Sequence, residues 1–305
     1  MNKSKGILVL AVNHPNFGQM AFNFAISVKI RNPDIKICLV HDSKSMGTLD
    51  AKQKTAFDDF FQIDENFYKF INKTAIGRAK CRLNEIKPYD INIFVDVDSL
   101  CLSPDFFLNL FNKTEEYHFL IPHFGAMYTD DIQKNGVTHW LSWGDVKLFF
   151  GSEVKPGIII PEAIQSSVIC YDNSELSDSI FKKALYAHDK FYNAGTANKM
   201  WYGTVPDELC FWTAMGLAGH QPAYNFENQI YFIYNAKNTN IRSEILNNYG
   251  IVTFPSAGSG LRQFQKDIYN DFVNHNARNW GYRTPYLWKD KSSFFAKEYN
   301  DRGRR

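Results

Sequence analysis

The strongest constraint on the fold is an apolar run, a segment of helical periodicity and a second apolar run, following one another at the start of the chain. The first run, Gly6-Ile7-Leu8-Val9-Leu10-Ala11-Val12, is far short of the roughly 20 apolar residues that span a bilayer. It leads into Asn13-His14-Pro15 rather than a small-residue cleavage site, so it reads as a strand and not as a signal peptide. Phe17, Met20, Ala21, Phe24, Ala25 and Val28 then recur at spacings of three and four, which is one face of a helix, with Asn16 as the expected N-cap and Pro33 beyond the end. Ile35 to Val40 supplies the second strand. A strand, a helix and a strand in that order imply parallel strands joined by a right-handed crossover.

Further along, Asp50 to Phe70 reads as short helices and loops, and Ile76, Ala79, Leu83 and Ile86 mark a helix that must end near Pro88. Ile91-Asn92-Ile93-Phe94-Val95 is then a third strand. Beyond it the pattern predicts a short helix over 106–111, a strand over 119–122, irregular structure from Tyr128 to Pro161, a strand over 168–171, helices over 180–187 and 208–217, and a late strand over 251–254 before the loop Ser256-Ala257-Gly258-Ser259-Gly260. With 305 residues, 45% of them hydrophobic, the chain has ample material for one large α/β domain.

Composition excludes several functions. The net charge of +2 asks for no nucleic acid or acidic membrane, and the basic end Arg302-Gly303-Arg304-Arg305 reads as a solvated terminus. Cys38, Cys81, Cys101, Cys170 and Cys210 are odd in number and set in apolar runs, so they read as reduced core residues, and the cytoplasm is the expected location. No Cys-x-x-Cys, His-x-x-x-His, Gly-x-Ser-x-Gly or phosphate-cradling Gly-x-x-x-x-Gly-Lys pattern occurs.

The third strand ends in Val95-Asp96-Val97-Asp98. Residues two apart on a strand share a face, so Asp96 and Asp98 are expected to point one way while Val97 packs on the other side. In open α/β sheets ligands bind beyond the carboxyl ends of strands. Paired carboxylates there suit Mg²⁺ or Mn²⁺, which keep waters and bridge to phosphate oxygens, and such an ion neutralises a diphosphate leaving group. The bland alternative is a solvated strand end. A haloacid dehalogenase-type phosphatase also ends a strand in Asp-x-Asp, but Leu100 and the position after two earlier strands argue against it.

The passage from Lys80 through Pro88-Tyr89-Asp90 to Asp96-Val97-Asp98-Ser99-Leu100 resembles the GT-A glycosyltransferases, in particular the glycogenin-like and bacterial galactosyltransferase-like group. That resemblance implies a GT-A, Rossmann-like fold with a mostly parallel central sheet flanked by helices over residues 1–260: a nucleotide-binding half to about 125, an acceptor half from about 126, and an aromatic, basic segment 261–305 packed on the domain. It implies a nucleotide-sugar donor, a UDP-sugar first, and a hydroxyl-bearing acceptor: a glycan or lipopolysaccharide, then a protein, with a modified DNA base only weakly supported. By the same resemblance Asp98 is a metal ligand, Asp96 touches the metal or the ribose, and Ala11, Val12 and Asn13 lie near the base and ribose.

Lys80 falls where the family places a basic donor contact, with Arg78 and Arg82 as substitutes. Gln165-Ser166 stands where the family has an Asn-x-Gly strand start beside the donor sugar. Asp207-Glu208 is similar to the acidic pair near the reacting sugar carbon, although a helix N-terminus favours such residues anyway. As functional groups, one of them would be a base for the acceptor hydroxyl or would stabilise an oxocarbenium-like centre. The family often adds a His on the late strand, where this chain has Thr253-Phe254-Pro255-Ser256, and a non-catalytic carbohydrate-binding relative is the corresponding alternative. Arg262 and Lys266 are read either as diphosphate contacts or as surface residues. Trp140, Trp143, Trp201, Tyr202 and Trp212 are read as sugar platforms or as core. Trp280, Tyr282 and Trp288 form an acceptor- or lipid-facing surface, or pack the last segment down.

Overall fold

A computed structural model describes residues 3–71, 73–128, 143–155, 160–194, 205–236, 242–254, 261–282, 285 and 287. The chain opens with β1 (Lys5–Ala11), α1 (Pro15–Lys29) and β2 (Lys36–His41), then α2 (Ser43–Met46), α3 (Ala51–Lys54) and β3 (Asp59–Gln62). Next come α4 (Glu65–Tyr68), β4 (Lys69–Phe70), β5 (Lys73–Thr74), α5 (Ile76–Lys80), β6 (Ile91–Val95), β7 (Ser99–Cys101), α6 (Pro104–Tyr117) and β8 (Phe119–Leu120). The remainder is β9 (His123–Tyr128), α7 (Trp143–Phe150), β10 (Ile160–Ile164), β11 (Val168–Asp172), α8 (Glu175–Asn193), α9 (Asp207–Ala218), β12 (Ile230–Phe232), α10 (Arg242–Asn248), β13 (Ile251–Thr253) and α11 (Gln263–Asn279).

Six strands form the central, mostly parallel sheet, in the order β3-β2-β1-β6-β11-β8. β1 and β2 run parallel from Gly6↔Lys36 to Ala11↔His41, as the strand-helix-strand pattern requires, and β2 pairs in parallel with β3. By contact density the chain divides into two compact units that interleave along the sequence: Met1–Lys5, Ile63–Ile93 and Leu110–Glu227 make one, and Gly6–Gln62, Phe94–Asn109 and Asn228–Arg305 the other.

In the unit that holds the first β-α-β element, α1 is buried at every position from Met20 to Lys29, much more than a one-sided amphipathic stripe. Several of its polar groups are bonded within the helix or to neighbouring elements. Ser27 Oγ donates to the Phe24 carbonyl and accepts the Cys101 amide of β7 at 2.8 Å, Asn23 donates to the Tyr269 hydroxyl at 3.0 Å, and Lys29 meets Asp58 at 2.7 Å. The helix is capped by His14, whose Nδ1 accepts the Asn16 amide, and not by Asn16. Pro15 at the first helical position explains the shift, since it needs no amide partner there. β7, β13 and β12 make a second sheet, with β13 antiparallel to β7 and parallel to β12.

In the other unit an aromatic cluster fixes the helices, with Phe181 of α8 edge-on to Tyr171 at 4.9 Å and to Phe211 of α9 at 5.4 Å. The Tyr171 hydroxyl donates toward the carbonyls of Leu83 and Ile86, both at 3.0 Å, which pins the turn after α5. Part of the region expected to be irregular is regular: β9 and β10 form an antiparallel ladder, and α7 is a two-turn helix, while 129–142 and 156–159 lie outside the described residues. All five cysteines are buried and none forms a disulfide, as their apolar settings predict.

Gly250 closes the turn from α10 into β13, its carbonyl accepting the amides of Leu102 and Ser103. A Cβ there would sit 2.4 Å from the Phe106 ring. Gly250→Ala is therefore expected to lower stability by about 1–3 kcal/mol through overpacking, read as a shift in the urea midpoint; an unchanged midpoint would show that Phe106 moves aside at no cost.

Candidate functional site

The acidic pair lies in a tight turn, which corrects the strand-face expectation. β6 stops at Val95, and the Ser99 amide donates to the Asp96 carbonyl at 3.1 Å, so Asp96-Val97-Asp98 bend before β7 begins. Alternation along a pleat therefore does not orient the two carboxylates; the turn does. Val97 is buried, as expected, and both aspartates are half-buried. The Phe254 amide donates to the Asp98 carbonyl at 2.9 Å, continuing the β7–β13 ladder by one residue and fixing the turn against the late strand.

At the end of β1, Ala11 and Val12 are fully buried, so what this strand end offers is backbone and the half-buried Asn13. Asn13 has φ of 71°, the left-handed region that Asn tolerates better than most residues. Its amide donates to Asp42 Oδ2 at 2.7 Å, while Asp42 Oδ1 accepts the Ser45 amide and caps α2. One buried carboxylate thus ties the ends of two adjacent parallel strands.

In the other unit the structure brings together three residues that are distant in sequence. Lys80, last in α5, places Nζ 2.9 Å from Asp207 Oδ2 and 3.4 Å from Ser166 Oγ, and Ser166 Oγ donates to the same Asp207 oxygen. Gln165 shapes the Ser166 turn, its side-chain oxygen accepting the Ser166 amide at 3.0 Å. Asp207 and Glu208 open α9, where the helix dipole favours negative charge. Gly77 permits the close approach of α5, because a Cβ there would lie 3.0 Å from the Val205 carbonyl and 3.2 Å from the Asp207 amide nitrogen.

Burial pushes the Asp207 carboxyl up, but the Lys80 charge, together with hydrogen bonds from Ser166, Lys80 and its own amide, more than offsets that and holds it below the usual carboxylate range. Of the three basic candidates, Lys80 is the one at this carboxylate. Arg78 grips Asp189 through Nε at 3.0 Å and lies over the Phe70 ring, and Arg82 grips Glu85 and lies over Phe67. No spacing rule relates positions 80, 166 and 207. The one visible signal was that each had a polar side chain beside an apolar run.

Trp212 is fully buried, which removes it as a sugar platform. Trp140, Trp201, Tyr202 and Trp288 lie outside the described residues, as does the Trp143 side chain. Arg262 is exposed ahead of α11. Tyr282 packs edge-on to Phe22 at 5.1 Å and donates to Asp50 at 2.8 Å, so this part of the last segment is packed down. Among the described residues no helix is long and apolar enough to cross a membrane.

The chain has the fold of the GT-A-type glycosyltransferases. The structure of the galactosyltransferase LgtC in complex with donor and acceptor sugar analogues is similar to it with a TM-score of 0.53 at 11% identity, covering 96% of this chain and 99% of that one. An active-site mutant of LgtC aligns with a TM-score of 0.51 at 12% identity over 90% and 99%. The bifunctional glycosyltransferase WbbM, in its apo form, aligns with a TM-score of 0.53 at 10% identity over 93% of this chain, which spans about half (52%) of WbbM. No protein-family model matches the chain, and no curated protein matches it.

The Lys80–Asp207 pair has a signed consequence for stability. Because the folded-state pKa of Asp207 lies below its unfolded value of about 3.9, the carboxylate contributes stability above that pH, and the contribution is lost as pH falls through the lowered folded value. Lys80→Met, which strands the charge, is expected to destabilise the protein at pH 7 by about 3 kcal/mol, with recovery in Lys80→Met/Asp207→Asn. Urea unfolding at pH 7 and pH 4 checks this: the gap between wild type and Lys80→Met should narrow at the lower pH, and a gap that widens would contradict the assignment.

Proposed function

We propose that the protein is a metal-dependent glycosyltransferase that moves a sugar from a nucleotide-sugar donor, a UDP-sugar first, to an acceptor hydroxyl. The observation that carries this reading is the paired-carboxylate turn Asp96-Val97-Asp98 at the carboxyl end of β6, in a chain whose fold matches that of sugar transferases over nearly its whole length. The fold likeness also leaves the phosphatase alternative without support.

The donor set fits Mn²⁺ or Mg²⁺. Asp96 and Asp98 supply hard carboxylate oxygens from one turn, and hard cations of this size are held by one or two carboxylates with waters and phosphate oxygens completing the shell. Asp96 and Asp98 are the carboxylates this reading assigns to such a site. When bound, the cation supplies charge neutralisation for a diphosphate leaving group. The Phe254 amide restrains the turn through the Asp98 carbonyl, and Asn13, fixed by Asp42, presents backbone and side-chain polar groups to the nucleoside.

Lys80 keeps Asp207 ionised, and its lowered proton affinity suits it poorly to take a proton near neutral pH. Its role in this reading is to accept hydrogen bonds from the donor sugar and to oppose the positive charge of an oxocarbenium-like centre. Glu208 is then the candidate base for the acceptor hydroxyl. A carbohydrate acceptor, as part of a glycan or lipopolysaccharide, comes before a protein and well before a nucleic acid, for which a net charge of +2 offers little attraction.

Incubation with a panel of nucleotide sugars and Mn²⁺, with free nucleoside diphosphate as the readout, tests the reading. Slow donor hydrolysis is expected with at least one sugar, lost on chelation and reduced at least about a hundredfold by Asp98→Ala, in line with removal of a charge-stabilising group. Activity that survives Asp98→Ala removes the metal assignment, and phosphate release from simple phosphomonoesters without a nucleotide sugar points to a phosphatase instead.

A further inference from the structure

We propose that the cavity where the C-terminal ends of α1 and α11 meet is a binding site for a saccharide bearing a carboxylate, separate from the Asp96–Asp98 turn and the Lys80–Ser166–Asp207 cluster. The cavity, of about 470 Å³, is lined by Ile30, Arg31, His275, Asn279 and Trp280. It is an open groove rather than an enclosed pocket, so a ligand seated there keeps one face in solvent.

The chemistry of the lining narrows the occupant. Arg31 NH1 is anchored to the Ser27 carbonyl at 2.8 Å and to Asn276 Oδ1 at 3.3 Å, which fixes the guanidinium at the end of α1. Its other N–H groups have no partner among the described residues. A planar guanidinium held this way presents the fork that pairs with a carboxylate. One turn apart on α11, His275 and Asn279 are exposed and hydrogen-bonded to each other at 3.1 Å, a pair whose amide and ring nitrogens match the donors and acceptors of vicinal hydroxyls. The half-buried Trp280 adds an indole, a flat apolar body with one polar handle, suited to the C–H face of a pyranose.

No carboxylate lines the cavity among the described residues, so its only full charge is positive. One fixed guanidinium beside neutral amide, imidazole and indole groups matches one anionic group on an otherwise hydroxylated ligand. A nucleic acid would instead engage several cations along its phosphates. On the neighbouring row of the same helix a second cavity, of about 440 Å³, is lined by Asn274, Arg278 and Tyr282 among others.

Titration of the full chain with sialyllactose and with lactose, without metal or nucleotide sugar and followed by tryptophan fluorescence, tests this site independently of sugar transfer. A saturable change with sialyllactose is expected, at least tenfold weaker with lactose, absent in Trp280→Ala and weakened at least fivefold in His275→Ala/Asn279→Ala. Because those two residues are exposed, the double variant decides the matter should Trp280→Ala fail to fold; folding is checked by far-UV circular dichroism. Equal affinity for the two sugars, no saturable change, or undiminished affinity in the double variant would overturn the proposal. Donor hydrolysis plays no part in the readout, so a failed transferase assay leaves this result standing, and the reverse.

Discussion

Strands that are buried along their whole length leave polar chemistry nowhere to go but their ends. β6 and β11 are buried at every position, β1 and β2 at all but their first. The lone amide inside β6, Asn92, is satisfied locally by the backbone of Tyr89, on the incoming turn. Polar side chains therefore appear where each strand stops or is about to start: Asn13 after β1, Asp42 after β2, Asp96 and Asp98 after β6, Ser166 ahead of β11. A sheet of this kind sorts residues by position before any ligand is considered, which is the general reason sites in open α/β folds collect at strand ends.

The same constraint makes charge expensive wherever the interior must accept it. Asp207 carries a carboxylate only about 15% exposed, and an ion of that kind persists only when its hydrogen bonds and a counter-charge replace lost hydration. Lys80, Ser166 and the first turn of α9 supply that replacement, and Gly77 removes the one side chain that would keep α5 at a distance. Beneath them the Cys81 and Cys210 thiols hydrogen-bond to each other; burial, then that bond, pushes the Cys210 thiol up, so these cysteines pack rather than react. A fixed, ionised acid whose hydrogen bonds and counter-charge are already in place is a preorganised electrostatic element.

How far these features were legible depended on the range of the interaction behind them. Ile91–Val95 and the late strand could be read almost to the residue because their apolar runs are bounded by Asp and Pro. β3 was missed: every residue in it is exposed, including Phe60 and Phe61, so it lacks the alternation that marks a half-buried strand. α11 was read only as an aromatic, basic segment, although Ile268, Tyr269, Phe272 and Val273 are its buried stripe, at spacings that a helix-period search recovers. The acidic pair was found, but its geometry was not, because the turn closed by the Ser99 amide is held by the Phe254 amide, a contact from about 150 residues further along the chain. Lys80 stood out by resemblance, whereas its partnership with Ser166 and Asp207 is tertiary and leaves no mark on local pattern.

Asn13 shows how such long-range terms act on a single residue. Left-handed φ costs a non-glycine residue of order 1 kcal/mol, so an isolated strand end would relax out of it. Asp42 prevents this by accepting the Asn13 amide while its other oxygen caps α2, and the parallel β1–β2 register sets the distance between the two residues. Removing the carboxylate would release both the cap and the strand end. The conformation of the β1 end is thus determined by the packed pair of strands and is present before any ligand arrives, so a ligand that meets Asn13 encounters a shape whose ordering cost the fold has already met.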